Sequence, residues 1–283
     1  MKRYPFGKFV LDIPDDHRII DIHRSSRLYD RAYGFIIDEI ARASPEGVFI
    51  DIGANIGDTA AFIATYAANP ILCVEGSLSY ATYLRSNLRH FNGQVRLLEK
   101  FVRTQSMAMM KLKYEDDGRG NGRLIQETQD SYLGDDQFID IFALLKEADR
   151  IGTVCLAKTD TDGCDGHIVI DLLNVLNAPM FFECDINLIF PNVPSPWPIV
   201  YEELERKGYS LVVFDNHGLP MQLVDCAQAS VLRDLSGYIS LQRAVDPVRI
   251  HYLDIWAFPP SWRPVFERVK SALRSDFLKP FGF

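Results

Sequence analysis

Two patterns of apolar and polar positions take turns along the chain. Short unbroken apolar runs give way to longer stretches in which apolar residues recur every three or four positions. The runs are Phe9 to Ile13, Val48 to Ile52, Ile71 to Val74, Val95 to Leu98, Gly152 to Lys158, Pro179 to Asp185 and Tyr209 to Phe214, and each reads as a strand. Helical spacing follows most of them. Ser25 to Ala43 sets Leu28, Ala32, Phe35, Ile36 and Ile40 on one face, Thr59 to Ala68 is rich in alanine, and Ser77 to Phe91 turns Leu84, Leu88 and Phe91 inward. Phe138 to Asp149, His167 to Asn177 and Tyr201 to Lys207 complete the predicted helices. Strand-helix alternation of this kind predicts an α/β fold, a mostly parallel sheet with helices on both faces. His251 to Phe258 alternates as a further strand, expected to pair antiparallel with Tyr209 to Phe214 at the sheet edge. Met107 to Tyr114 and Arg123 to Thr128 flank the polar, glycine-rich stretch Glu115 to Gly122, which predicts a hairpin on the rim with a solvated loop.

The first parallel strand ends in Asp51-Ile52-Gly53-Ala54-Asn55-Ile56-Gly57-Asp58-Thr59, a strand that breaks into a glycine-punctuated turn and enters a helix. Gly53 and Gly57 allow a sharp turn and a close approach of backbone to ligand. The turn has neither the Lys-Ser/Thr of a phosphate-binding P-loop nor the G-x-G-x-x-G of a dinucleotide site. No basic residue is near it in sequence, and Asp51 and Asp58 stand on its two sides. Two carboxylates repel a pyrophosphate and suit a cationic group, which points to S-adenosylmethionine, a nucleoside with a sulfonium and an ammonium. About twenty residues later Ile71 to Val74 ends in Glu75-Gly76-Ser77, where a carboxylate can take both ribose hydroxyls. Glu75 is the predicted ribose ligand, and Ser77 is expected to cap the helix that follows.

Ligands of open α/β sheets sit outside the carboxyl ends of the strands, so the stretch after the strand at 152–158 carries the next candidates. Lys158-Thr159-Asp160-Thr161-Asp162-Gly163-Cys164-Asp165 supplies a set of acids there. Asp160 and Asp162 are the expected catalytic residues, as base or as anchors of the acceptor, and Asp165 reads as a helix cap. His167 and His217 are reserve bases. Asp160 with Asp185 and Asn187 offers an oxygen set for Mg²⁺, although a site without metal is the expectation. Phe190 to Pro198 reads as a stiff loop whose Trp197 either offers a face to a sugar ring or pins the loop to the core.

Composition sets broad bounds. With 283 residues and 47% hydrophobic content the chain can bury one large core, and the formal net charge of -8 argues against nucleic acid as the main partner. Cys73, Cys155, Cys164, Cys184 and Cys226 are scattered, without a C-x-x-C pair, and read as reduced cytoplasmic thiols. Neither an export signal nor a membrane span is evident.

The turn at 51–58, Val-Glu-Gly-Ser at 74–77 and Lys-Thr-Asp-Thr-Asp-Gly-Cys-Asp at 158–165 together resemble the FkbM family of S-adenosylmethionine-dependent methyltransferases. The resemblance runs from about Gly47 to the last strand. It implies a Rossmann-like class I methyltransferase fold with a seven-stranded sheet and an antiparallel edge strand, in which residues 1–46 pack on a methyltransferase unit of residues 47–283 as one structural domain. It also implies that Asp51, Gly53, Ala54, Asn55, Gly57, Asp58 and Thr59 cradle the methyl donor, with Glu75, Gly76 and Ser77 at the ribose and Asp160 beside it. The family's third motif usually reads Lys-x-Asp-x-Glu-Gly-x-Glu, and here Asp162 and Asp165 replace both glutamates. Glu75-Gly76 stands where Glu-Pro is commoner. Such enzymes typically methylate hydroxyls, which implies O-methylation of a glycan or small metabolite. A nicotinamide-dependent oxidoreductase and a binding module without turnover are the competing readings.

Overall fold

The computed structural model describes residues 1–26, 29, 31–127, 131–188, 193–242 and 249–277. A hairpin of β1 (Lys2–Phe6) and β2 (Phe9–Ile13) opens the chain, followed by α1 (Ile19–Ser25) and α2 (Arg31–Ala43). The first half of the sheet is then laid down as β3 (Val48–Ile52), α3 (Asp58–Tyr66), β4 (Ile71–Val74), α4 (Leu78–Asn87) and β5 (Val95–Leu98). Next come the short β6 (Phe101–Val102), the hairpin β7 (Leu112–Asp116) and β8 (Gly122–Gln126), and the short β9 (Phe138–Ile139). The second half comprises α5 (Ile141–Asp149), β10 (Val154–Thr159), α6 (Asp165–Val175), β11 (Met180–Cys184), α7 (Trp197–Arg206) and β12 (Ser210–Asp215). It ends with β13 (Pro220–Val224), α8 (Ala229–Gln242), β14 (Leu253–Phe258) and α9 (Arg263–Ala272).

Eight strands form the main sheet in the order β13-β12-β14-β11-β10-β3-β4-β5. The run from β11 to β5 is parallel, and β14 enters antiparallel between β11 and β12. The order reverses at β3 and β10, so the crevice of this doubly wound sheet opens above the carboxyl ends of those two strands. This is a Rossmann-like, doubly wound α/β fold, as the motifs imply, with one strand more than expected. The strand at 253–258 lies inside the sheet and not at its edge. All of its residues are buried, which an edge position with one open flank does not provide. The edge belongs to β13, antiparallel to β12 and mostly part-exposed, and its leading proline suits a strand with one unpaired side.

Alternation along the strands divides the core into two layers. Phe49, Leu156, Phe181, Val212 and Trp256 face α2, α3 and α9, while Ile50, Ala157, Phe182, Leu211 and Ile255 face α5, α6 and α7. The predicted helix from Ser25 is two helices, α1 and α2, with Leu28 outside the described residues. The predicted helix from Phe138 starts three residues later, because Phe138 and Ile139 pair with β6 and the Asp140 side chain caps α5 by accepting from Ala143 N at 2.8 Å. All five cysteines are free thiols, and Cys226 alone is exposed. Among the described residues no helix is long and apolar enough to cross a membrane.

Candidate active site

The glycine turn sits at the switch point of the sheet. Gly53 has φ 75°, and a side-chain carbon there would lie 1.9 Å from the Asp160 carbonyl oxygen, so only glycine lets the turn pack against the exit of β10. Gly53 N and Ala54 N both donate to Val74 O, at 2.9 and 3.1 Å, which binds the turn to the end of β4. Ala54 is buried and Gly57, at φ 89°, opens α3, so both shape the turn from beneath. Asp58 and Thr59, in the first turn of α3, line the cleft.

Asp51 occupies a different place from the one its sequence position suggests. It is fully buried and lines no part of the cleft; Lys158 of the neighbouring strand lies 2.9 Å from its Oδ1. The turn that lacks a basic residue in sequence therefore has one in the fold. Lys158 Nζ also donates to Gly53 O at 3.2 Å and stands 3.6 Å from Asp160 Oδ2. Burial works against its charge, yet the Asp51 and Asp160 carboxylates outweigh that and hold it above the usual lysine range. Asp51 and Lys158 thus support the turn from below, and of the motif acids Asp58, Asp160, Asp162 and Glu75 are left to face a ligand.

Glu75, 8% exposed, accepts from Asn55 N at 2.8 Å through Oε2 and from Ser77 N at 2.6 Å through Oε1. Its orientation is fixed by backbone, and each oxygen keeps acceptor capacity for a further donor. Burial pushes its carboxyl up to about 7 against those two hydrogen bonds. Ser77 occupies the N-cap of α4 without a capping side-chain bond, contrary to expectation; its side chain is hydrogen-bonded with Tyr114 and its N–H with Glu75. Gly76 is a matter of space: a side-chain carbon there would fall 2.3 Å from the Phe101 ring. Phe101 thereby stands directly over the end of β4. The cavity beside it opens between Glu75 and Asp162, with Phe101, Tyr114, Leu124 and Ile168 as apolar walls.

The loop of the β7–β8 hairpin is not merely solvated. Gly122 N donates to Asp162 Oδ2 at 2.9 Å, Asn55 Nδ2 donates to Gly120 O at 2.8 Å, and Gly120 N donates to the Tyr80 hydroxyl at 2.9 Å. Arg18 N donates to Arg119 O at 2.8 Å, and the Arg18 guanidinium pairs with Asp117 at 3.0 Å. The hairpin is a strap across the glycine turn. Asp162, at φ 50°, is its anchor, and burial followed by the Asp160 charge pushes its carboxyl up to about 7. Asp160, with a 44% exposed side chain, borders both this cavity and two neighbouring ones.

The remaining candidates have structural places. Asp165 accepts from Thr159 Oγ1 at 2.7 Å and from Thr161 N at 3.0 Å, so it knits the loop after β10 together. His167 is buried and 2.9 Å from Ser106 Oγ, and His217 joins Ser26 and the Arg249 carbonyl. Asp185 accepts from Asn187 N at 2.8 Å in a tight turn, and among the described residues no three His, Cys, Asp or Glu side chains are arranged to hold a metal ion. Trp197 is 3% exposed, near-parallel to the Phe182 and Tyr201 rings, and donates to Asp185 O at 3.2 Å. It begins α7 and pins that helix to the core, so it offers no face to a sugar. Residues 190–192 of its predicted loop lie outside the described residues.

Sequence reasoning missed Glu183, Asp254 and the aromatic residues beside them. Alternation held the signal: Phe181-x-Glu183 and Asp254-x-Trp256 each put an aromatic ring and an acid on one sheet face.

No family model matches the sequence, and no curated protein sequence is similar to it. Solved structures resemble it only distantly, at low identity and with TM-scores below 0.5. An O-methyltransferase from Bacillus cereus in complex with SAH is 10% identical with a TM-score of 0.43, covering 87% of this chain and 92% of its own. A precorrin-6y C5,15-methyltransferase from Geobacter metallireducens is 13% identical with a TM-score of 0.35 over 78% and 84% of the two chains. The fibrillarin pre-rRNA processing protein of Methanococcus jannaschii is 10% identical with a TM-score of 0.39 over 76% and 66%. Similarity of this degree assigns neither activity nor substrate, and the site's own geometry has to carry the functional reading.

Proposed function

We propose that the chain is an S-adenosylmethionine-dependent methyltransferase. The observation that carries the reading is the Glu75 carboxylate, held by two backbone N–H groups in the wall of the cavity beyond β4 with acceptor capacity to spare. A vicinal diol is a natural partner for such a carboxylate, and the Phe101, Tyr114, Leu124 and Ile168 walls suit a purine. Bound there, the donor would supply an electrophilic methyl group on sulfur. Gly53, Asn55, Asp58, Thr59 and Asp160 would surround its cationic end, where Asp58 and Asp160 would repel a pyrophosphate and favour positive charge.

Asp160 stands where the nucleoside cavity meets the rest of the cleft, which suits it to receive the acceptor's hydroxyl proton or to fix the hydroxyl in line. Asp162 serves the same end indirectly, by keeping the hairpin closed over the donor and excluding water. The likeness of the three motifs to the FkbM family supports a hydroxyl on a small molecule or sugar as the methylated group.

Calorimetric titration with S-adenosylhomocysteine and with NAD tests the reading. Binding of the first and not the second is expected, and methyl transfer from labelled donor to a panel of hydroxylated acceptors completes it. Binding of NAD alone overturns it in favour of an oxidoreductase.

A further inference from the structure

Outside the three motifs, one buried side chain reaches the donor site from the N-terminal segment. His17, between β2 and α1, is 7% exposed and lines the cleft. Ile19 N donates to its Nδ1 at 3.3 Å, and its Nε2 lies 3.3 Å from Asn55 Oδ1 in the glycine turn. The roles of these atoms are fixed from both ends. A ring nitrogen that accepts a backbone N–H carries no proton, so the neutral imidazole bears its proton on Nε2. Asn55 gives the same answer independently. Its Nδ2 donates to Gly120 O at 2.8 Å, and because a carbonyl oxygen only accepts, the amide must turn Oδ1, itself only an acceptor, toward the ring.

Asn55 needs such a hold. Its backbone sits at φ 48°, in the left-handed region that residues other than glycine enter at a cost, and in that conformation its N–H reaches Glu75 Oε2 at 2.8 Å. One end of its amide is thus tied to the N-terminal segment and the other to the strap, while its backbone orients the ribose acid. The strap closes on the same ring. A side-chain carbon at Gly120 would lie 2.7 Å from His17 Nε2, and Gly120 N donates to Tyr80, whose ring meets His17 edge-on with centres 6.3 Å apart. The N-terminal segment, the glycine turn, α4 and the strap therefore converge on His17.

We infer that His17 is a positioning residue of the donor site: through Nε2–H it locks the Asn55 side chain, and the locked Asn55 keeps Glu75 in the cavity wall and the strap over it. As a determinant of donor affinity it rests on the methyl-transfer reading above; as the clasp of the strap it stands on these contacts alone.

Two variants of similar size separate the hydrogen bond from the packing. Glutamine carries its Nε2 as many bonds from the backbone as histidine does and can donate to Asn55, whereas methionine fills similar space and cannot. In calorimetric titrations with S-adenosylhomocysteine, His17→Gln is expected to stay within about twofold of the unaltered protein and His17→Met to lose about tenfold. That loss should run through Asn55. In an Asn55→Gly background, which suits the left-handed backbone and keeps its N–H, adding His17→Met should change affinity by less than about twofold. Equal affinities of the Gln and Met variants overturn the inference, and so does a His17→Met loss of the same size with and without the Asn55 side chain. Melting curves report that each variant is folded, and His17→Phe, which keeps the ring against Tyr80 and Gly120, replaces His17→Met if that chain does not fold. If the unaltered protein binds no S-adenosylhomocysteine, the methyl-transfer reading falls, and tryptic cleavage after the exposed Arg119 in the unliganded variants still tests the clasp. Faster cutting in His17→Met than in His17→Gln supports it, and equal rates overturn it.

Discussion

Two residues decide most of what the site can do, and they act in opposite ways. Lys158 is a charge spent inside the protein: it neutralises Asp51 and holds the Gly53 carbonyl, so the turn keeps its shape with no ligand present. Removing one member of a buried pair strands the other, at a cost of roughly 3–5 kcal/mol. Lys158→Met is therefore expected to lower the unfolding free energy by about that amount in urea titrations, and a loss within error of zero would mean the pair is not ionised. Glu75 is a charge held in reserve. With its carboxyl at about 7 in the empty cavity, ribose hydroxyls that donate to the ionised form should shift that equilibrium. Affinity for S-adenosylhomocysteine should rise as pH climbs through 7 and fall up to about tenfold per unit below it. Glu75→Gln should flatten this profile and Glu75→Ala should weaken binding roughly tenfold to a hundredfold. A pH-independent affinity in the unaltered protein would remove Glu75 from the ribose.

At the scale of elements, what was legible in the sequence tracks burial. The parallel strands β3, β4, β10 and β11 are apolar runs because both their faces are covered, and turn chemistry marks their ends. The ligand turn was equally clear, since Gly53 and Gly57 break a strand in a way few other sites require. Position in the sheet was not legible: β14 and β13 have similar local patterns, and only long-range pairing decides which lies inside. The role of Lys158 was hidden for the same reason, because its partner Asp51 is 107 residues away in the chain and adjacent only across strands β3 and β10. The hairpin loop was misjudged because its polar, glycine-rich composition looks the same whether it faces water or folds over a ligand turn. Its contacts predict a strap whose closure responds to ligand. Trypsin should cut slowly after the exposed Arg119 in the unliganded protein and more slowly still with S-adenosylhomocysteine present, and Asp162→Ala should accelerate cutting by freeing Gly122. Equal cleavage rates in all three states would show that the strap is not coupled to the site.

For the molecule as a whole, the acids of the cleft set a pH dependence of stability that runs against that of its surface. Surface carboxylates in ion pairs, such as Asp225 with Lys270, are held below their usual range, and being exposed they contribute little. Cleft carboxyls go the other way. Burial lifts Glu75 and Asp162 to about 7 and Asp165 to about 6, and burial with the charges of Asp160, Asp165 and Asp254 lifts Glu183 well above the carboxylate range. A raised folded-state value means that the protonated form is favoured on folding. That stabilisation is complete below the unfolded values near 4 and is lost as pH rises through 6 and 7 for Glu75, Asp162 and Asp165, and higher still for Glu183. The unliganded protein should therefore be more heat-stable at pH 5 than at pH 8, the reverse of what salt-bridged surface carboxylates alone would produce. Glu183→Gln, which keeps the shape and discards the charge, should raise the melting temperature at pH 8 by a few degrees and leave it nearly unchanged at pH 5. Melting curves of the variant and the unaltered protein that coincide at pH 8 would show that burial of the Glu183 carboxyl does not set this dependence.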